Sequence, residues 1–594
     1  MSISLTALLL PLLLAGHCAA SPALPDSLTA RESRNLTALA RAVGDLKYFY
    51  PNRHTARVSW ETVLTRAIPA VRRARTDQLL AATLDSLLRP LAPKATFTIS
   101  PTTPAPADPS RVTAGHFWEH HGLGLDKAGL GLTTGIMRLG GLRYESRIRA
   151  ASAAEVAGAF PVGQPQYTEL LTDSVSLTLP LILTETQHQQ RLHYQPGRRR
   201  RRLRADTPEQ RMATTILTWN IIRHFYPYRI VLHSAGWTDA LTVALPQAAR
   251  ATSETALMTA IHRMLAHLPD RHINFVPSTL TGLHISPPPY ALQLELADSA
   301  VVVRQVPAEL RPFVAPGAVL THLNSQSIGR LLDSIRLILP ATSPAVARQL
   351  AAQQLVSKLG ATYRAAAFTF QDSTGQFRTY RWTFRQLRGS SYHELPPVRE
   401  LAGGLVYLDA ARLRYKDFQR ALPQLQAARG LVVDLRRRPH YELSRILPHF
   451  SAEPLLFIST ATPQLRQPNF RHAVFRFREN TPKIPQLPLL AMPKIFLTGP
   501  DTYSYGETVA AIVRNNGLGL LLGQPTGGTN GEMNFATIGR TYKLSFTGRC
   551  VRPTGEVYQG RGLAPDILVK PTRQQLAREQ DAALERAVQW LRSK

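Results

Sequence analysis

The segment GPDTYSYGETVAAIVRNN, residues 499–516, places a serine where an apolar run gives way to a helical pattern. The run before it, KIFLTG (494–499), reads as a buried strand. On such a turn the Ser504 hydroxyl points at solvent. The Tyr505 N–H then opens the set of helix N-terminal donors that can hold an oxyanion. TYSYG is a Gly-x-Ser-x-Gly elbow without its first glycine. The same letters also spell a capping box, with Glu507 three residues after Ser504. The local sequence admits both readings, nucleophile and N-cap. A serine attacks a carbonyl only when a base takes its proton. Histidine titrates near neutral pH and can return that proton to the leaving group. His272, in MLAHLPDRHINF (264–275), ends a helical stretch just before a strand and is the candidate base. Among 18 histidines, the ordinary alternative is a satisfied surface or core residue.

The elements that must position these side chains include a repeat. LKYFYPNRHTARVSWETVLTRAIPAV (46–71) and IRHFYPYRIVLHSAGWTDALTVALPQA (222–248) share a helical lead-in, Phe-Tyr-Pro, and a Trp that opens an amphipathic stretch. Each continues into a second such stretch, TDQLLAATLDSLLRPL or SETALMTAIHRMLAHL. Pro51 and Pro227 lie 176 positions apart, which indicates module duplication and not a solenoid. Setting Leu268 against Leu91 places His272 against Ala95, so only the second copy carries the histidine.

The expected organisation is a signal peptide (1–20), a helical module (28–99), a β-rich module (100–196) and a basic linker (197–206). A second helical module (207–284) follows, then a strand-rich region (285–390), an α/β core (400–575) and a C-terminal helix (576–594). In the core GGLVYLD, GLVVDLR, KIFLTG and LGLLLGQPT alternate with helical stretches, the pattern of a buried parallel sheet.

MSISLTALLLPLLLAGHCAA has no charge and too short an apolar run to span a bilayer, so it reads as a secretory signal cut near Ala20. Cys18 raises a lipoprotein reading, against which His17 stands where a small residue is expected. If Cys18 leaves with the signal, Cys550 is the one cysteine remaining, which excludes an internal disulfide and is compatible with a periplasm. No later segment reads as transmembrane. The net charge is +30, mostly from scattered single residues; the dense run GRRRRRLR (197–204) falls where a linker is expected. An exported chain meets little nucleic acid, so none is expected as partner, while attraction to an anionic envelope surface fits the charge.

Several segments, taken in order, resemble the tail-specific (C-terminal-processing) serine peptidases, nearer their tricorn-core-like and retinoid-binding-protein-like branch. MLAHLPDRHINF resembles the family's Leu-Asp-Gly-His segment, with Arg271 where Gly is usual. PGAVLTHLNSQSI (316–328) resembles its inserted PDZ-like domain, and GLVVDLRRRP (430–439) its Asp-Leu-Arg strand end. The stretch 502–531 resembles its nucleophile helix and following strand, and GEVYQGRGLAPDILV (555–569) its closing strand.

The resemblance implies a multidomain α/β protein with duplicated N-terminal helical modules, a β module, a PDZ-like domain and a core of the ClpP/crotonase type. It implies an exported, metal- and cofactor-independent serine endopeptidase acting on peptides or unfolded protein. Ser504 would be the nucleophile. The position of the processing branch's general-base lysine is Thr529 here, so the His-using branch fits and His272 becomes the base. That branch's Glu aligns with Gln559, with Glu556 three residues earlier as substitute orienter. Tyr505 N–H and a backbone N–H near His440 would form the oxyanion hole, although RRPHYE stands where many members have Asn-x-Gly-Gly. A catalytically inactive binder on the same scaffold, an esterase, and a basic nucleic-acid or envelope-binding protein are the alternatives.

Overall fold

A computed structural model describes residues 28–99, 113–124, 144–160, 166–192, 205–279, 291–360, 363–388, 395–478, 482–552 and 558–594. The signal segment, most of the basic linker, and Glu556 lie outside the described residues.

The repeat folds the same way twice. Ala30–Phe49 starts at a capping box between Thr29 and Glu32, and Pro208–Phe225 starts at Thr207 with Pro208 in its first turn. Each long helix stops at Phe-Tyr-Pro. Trp60 and Trp237 then open helices Trp60–Arg72 and Trp237–Arg250, each with an internal proline, Pro69 or Pro246. Helices Asp77–Leu88 and Glu254–Leu265 follow, capped by Thr76 and Ser253.

The two copies, written from the sequence as separate modules, share one core. Where their long helices cross, a Cβ on Gly44 would stand 1.9 Å from Asn220 Oδ1, and Asn220 Nδ2 donates to Ala40 O at 2.8 Å. A buried ion pair, Arg223 to Asp45 at 2.7 Å, joins them, with Glu169 on the same guanidinium at 2.8 Å.

The stretch between the copies is likewise divided. Thr96–Ile99, Val175–Pro180 and Gln166–Leu170 form a three-stranded antiparallel sheet on the shared core. Gly115–His121 and Glu145–Ala151 pair instead with the region after residue 400, through Ser459–Leu465. That larger sheet continues through Tyr542–Arg552 to Glu532–Ile538, and Asn274–Pro277 pairs antiparallel with Tyr542–Arg552. The strand that follows His272 is thereby sewn to the sheet beside the α/β core.

Residues 291–388 form a six-stranded sheet with helices Ile328–Arg336 and Pro344–Gly360 around their own core. The α/β region has the expected parallel sheet: Leu405–Asp409, Gly430–Asp434, Lys494–Thr498, Leu520–Gly523 and Ile567–Leu568 run parallel, with Val398–Leu401 antiparallel at one edge. Alternate residues serve its two faces. Leu431, Val433 and Phe496 pack under helices Tyr415–Gln426 and Tyr505–Asn515, whereas Val432, Ile495 and Leu497 pack under the C-terminal helix Ala582–Arg592. Among the described residues no helix is long and apolar enough to cross a membrane.

Candidate active site

Ser504 stands at the end of a turn that leaves the central strand Lys494–Thr498, every residue of which is buried. Thr502 shapes the turn: its hydroxyl donates to Leu435 O at 2.8 Å on the neighbouring strand end and accepts from Gly499 N at 3.0 Å. The chain then takes φ 56° and ψ −121° at Ser504 before entering helix Tyr505–Asn515. A side chain at positive φ is uncommon, and such strain is held in place only by its surroundings. Here Ser504 N donates to Thr529 O at 2.6 Å.

The capping box does not form. The Ser504 side chain makes no capping hydrogen bond. Glu507 is buried and turned the other way, accepting from the Thr526 hydroxyl and from Gly528 N at 2.9 Å. Burial pushes its carboxyl up to about 7.

His272 lies in the tight turn after the second repeat. Asp270 Oδ1 accepts from His272 N at 2.9 Å, and Asp270 O from Ile273 N at 3.0 Å. The imidazole is buried, with Nδ1 at 2.9 Å from Thr547 Oγ1 and 3.8 Å from Asp270 Oδ1. Burial holds it below its ordinary range; Asp270 opposes this, and the charges of Arg438 and Arg271 add to the lowering.

Two residues tie the histidine turn to the serine turn. Thr529, fully buried, receives Ser504 N on its carbonyl and Arg271 N on its hydroxyl, the latter at 2.9 Å. Arg271 reaches across with its side chain, donating to Pro500 O at 2.7 Å and Asp501 Oδ1 at 2.9 Å, and its guanidinium lies 4.0 Å from the Tyr503 ring centroid. The Tyr503 and His272 ring centroids are 6.4 Å apart. Residues more than two hundred positions apart in sequence are thus held side by side.

Of the other expected site residues, Gln559 is buried and accepts from Asn530 N at 2.9 Å. It donates to Tyr226 OH at 3.1 Å and to Pro269 O at 3.4 Å, and Tyr226 in turn hydrogen-bonds Asp270. Its link to His272 therefore runs through Tyr226 and Asp270, while the direct partner on Nδ1 is Thr547. The Tyr505 N–H, first in its helix, has no hydrogen-bond partner among the described residues. The His440 N–H, expected as the second oxyanion donor, is already given to Ala410 O at 2.8 Å and is not vacant.

Three residues not singled out from the sequence matter here: Asp270, Thr547 and Tyr226. Tyr226 carried a signal, since it belongs to the repeated Phe-Tyr-Pro. In the first copy its counterpart Tyr50 accepts from Lys94 N at 3.2 Å, so each copy uses this hydroxyl to fasten the loop after its last helix. Thr547 carried none, since it meets His272 only across strand pairing. Among the described residues no three His, Cys, Asp or Glu side chains are grouped as metal ligands.

Residues 404–569 match the family model of Peptidase family S41. No curated protein matches the chain. Among solved structures, mature CPAF complexed with lactacystin is similar at 11% identity, over 65% of this chain and 98% of that one, with a TM-score of 0.48. The photosystem II D1 C-terminal processing protease is similar at 17% identity, over 63% and 98%, with a TM-score of 0.36. A putative S41 protease from Bacteroides fragilis is similar at 10% identity, over 54% and 86%, with a TM-score of 0.30. Over residues 404–569 the chain is thus similar to peptidase family S41, the tail-specific serine peptidases.

Proposed function

We propose that this protein is an exported serine endopeptidase of the His-using kind, with Ser504 as nucleophile and His272 as general base. With Nδ1–H directed at Thr547 and the Asp270 carboxylate, Nε2 carries the lone pair that takes the Ser504 proton. Oγ bonds to the peptide carbonyl carbon, the Tyr505 N–H holds the resulting oxyanion, and the amine departs with the proton from His272. Water, deprotonated by the same ring, then hydrolyses the acyl ester. Asp270 and Thr547 orient the ring, and Gln559 supports Asp270 through Tyr226; Glu556 is the remaining candidate for that support.

One observation carries this reading: Thr529 binds the backbone of both the serine turn and the histidine turn, so the two are positioned as a unit. The strained, uncapped Ser504 agrees with it. We read the core as of the ClpP/crotonase type. We read residues 291–388 as a PDZ-like domain that captures an extended chain end by strand addition. Export follows from the N-terminal twenty residues, and N-terminal sequencing of the protein from an extracytoplasmic fraction tests it.

The functional test is cleavage of an unfolded protein by wild type and by Ser504→Ala. Peptide fragments from wild type alone support the reading. Hydrolysis of short acyl esters without any protein cleavage replaces it with an esterase. A well-folded wild type with neither activity replaces it with a binding protein.

A further inference from the structure

The backbone strain at Ser504 persists only where the surroundings leave its turn no easier conformation. Part of that restraint comes from the α/β core and the loop after it. The Thr502 hydroxyl donates to Leu435 O at 2.8 Å, Gly527 N donates to Thr502 O at 2.8 Å, and Ser504 N donates to Thr529 O at 2.6 Å. The histidine turn adds a further restraint through Arg271.

Glycine is usual at this position in the family that the sequence resembles. A glycine there could make only the backbone contact, Arg271 N to Thr529 Oγ1 at 2.9 Å. The arginine side chain adds Nη1 donating to Pro500 O at 2.7 Å, Nη2 donating to Asp501 Oδ1 at 2.9 Å, and a guanidinium face 4.0 Å from the Tyr503 ring centroid. It thereby touches Pro500, Asp501 and Tyr503 of the run into Ser504, while Thr502 is held by Leu435. The fit is close. A Cβ on Gly527 would stand 2.7 Å from Pro500 O, 2.9 Å from Tyr503 Cβ and 3.3 Å from Arg271 Nη1. A planar guanidinium bound at its edge and on one face is fixed in orientation. Its side chain is only 11% exposed, against 45% for Asp501. Arg271 adjoins His272 in the chain, and the Tyr503 ring it covers lies 6.4 Å from the His272 ring.

We propose that Arg271 is a positioning residue for the reaction: its guanidinium fixes the Pro500–Tyr503 turn against the histidine turn and so sets how Ser504 Oγ meets the His272 ring. The inference rests on the Ser504 peptidase reading. Arg271 acts through these two side chains and not on substrate. A misplacement of about 1 Å between reacting groups costs about 10²-fold in rate, so a clamp at this joint is read in kcat.

The test compares wild type, Arg271→Gly, Arg271→Lys, Asp501→Asn and the Arg271→Gly/Asp501→Asn double variant on a neutral fluorogenic peptide, with thermal melts to confirm folding. In Arg271→Gly, kcat should fall about 10²-fold with KM changed less than about twofold. Lysine should retain part of the rate. Asp501→Asn should lose less, because the bond to Pro500 O remains, and the double variant should be no slower than Arg271→Gly alone. Asp270, Arg271 and Arg438 are the charges acting on the His272 ring, with Thr547 and Tyr503 beside it. Removing the Arg271 cation should therefore move the acid limb of kcat/KM to higher pH in Arg271→Gly and leave it in place in Arg271→Lys. A folded Arg271→Gly with wild-type kcat overturns this inference alone. A change confined to KM assigns Arg271 to substrate binding and also overturns it. If Arg271→Gly does not fold, Asp501→Asn decides: an unchanged kcat there overturns the inference. A wild type without any Ser504-dependent hydrolysis overturns the peptidase reading itself and this inference with it.

Discussion

Replacing Ser504 by glycine should stabilise the α/β core while removing the proposed nucleophile. The backbone at Ser504, φ 56° and ψ −121°, mirrors the first central position of a type II turn, a conformation in which glycine is at ease and a Cβ is not. Holding a side chain there costs about 1–3 kcal/mol. Glycine gives back about 0.5–1 kcal/mol through the greater freedom of the unfolded chain. The net gain is about 1 kcal/mol, or about 2–4 °C in the melting of a domain of this size. Ser504→Ala is the control, because alanine keeps the Cβ and its strain while losing the same hydroxyl. Scanning calorimetry suits the measurement, since it separates the transition of the α/β core from that of the 291–388 domain in a chain with several cores. The core transition should rise in Ser504→Gly and stay put in Ser504→Ala. A glycine variant that melts with or below the alanine variant refutes the idea that the Ser504 turn stores strain.

Thr547→Val keeps the side-chain shape but leaves His272 Nδ1 without its 2.9 Å partner; kcat/KM should fall about tenfold, with Thr547→Ser restoring it, as steady-state kinetics will show. Burial raises Glu507 from 4.5 to about 7, so the folded state holds this proton more tightly than the unfolded chain. Its contribution to stability is full below pH 4.5 and is lost as pH rises through about 7; urea midpoints across that window should flatten in Glu507→Gln. Gly44→Ala forces a Cβ to within 1.9 Å of Asn220 Oδ1 at the crossing of the two repeats and should cost about 1–3 kcal/mol in thermal unfolding.

What the sequence makes legible is local. The run KIFLTG is buried at every position of Lys494–Thr498, and the parallel sheet follows from several such runs between helical stretches. The repeat is visible because Phe-Tyr-Pro, Trp and an internal proline recur at matched spacing. That the two copies close one core is not visible, because the contact of Gly44 with Asn220 depends on how two helices cross and not on either helix alone. The stretch 100–196 reads as one β module since every strand in it has the same local pattern. Pairing divides it: Val175–Pro180 stays near the helices and Gly115–His121 joins Ser459–Leu465.

The same limit applies to the site. Ser504 and His272 stand out by residue type and setting. The motif alignment puts Gln559 in the right neighbourhood, but only coordinates show that its hydrogen bonds go to Asn530, Tyr226 and Pro269. Capping chemistry at Ser504 was equally consistent with the letters. Tertiary structure decides against it by giving Glu507 a buried partner in Thr526. The Arg271 substitution for glycine, a departure from the family pattern, turns out to fasten the histidine turn to Pro500 and Asp501.

The proposed mechanism requires that His272 activate Ser504. The most direct measurement is the rate of covalent modification by a fluorophosphonate, followed by intact mass, in wild type and in His272→Ala, with the adduct mapped by peptide mass. A single adduct on Ser504 is expected, forming about 10⁴-fold more slowly without the imidazole. An adduct on another residue, or an equal rate in the two proteins, would contradict it.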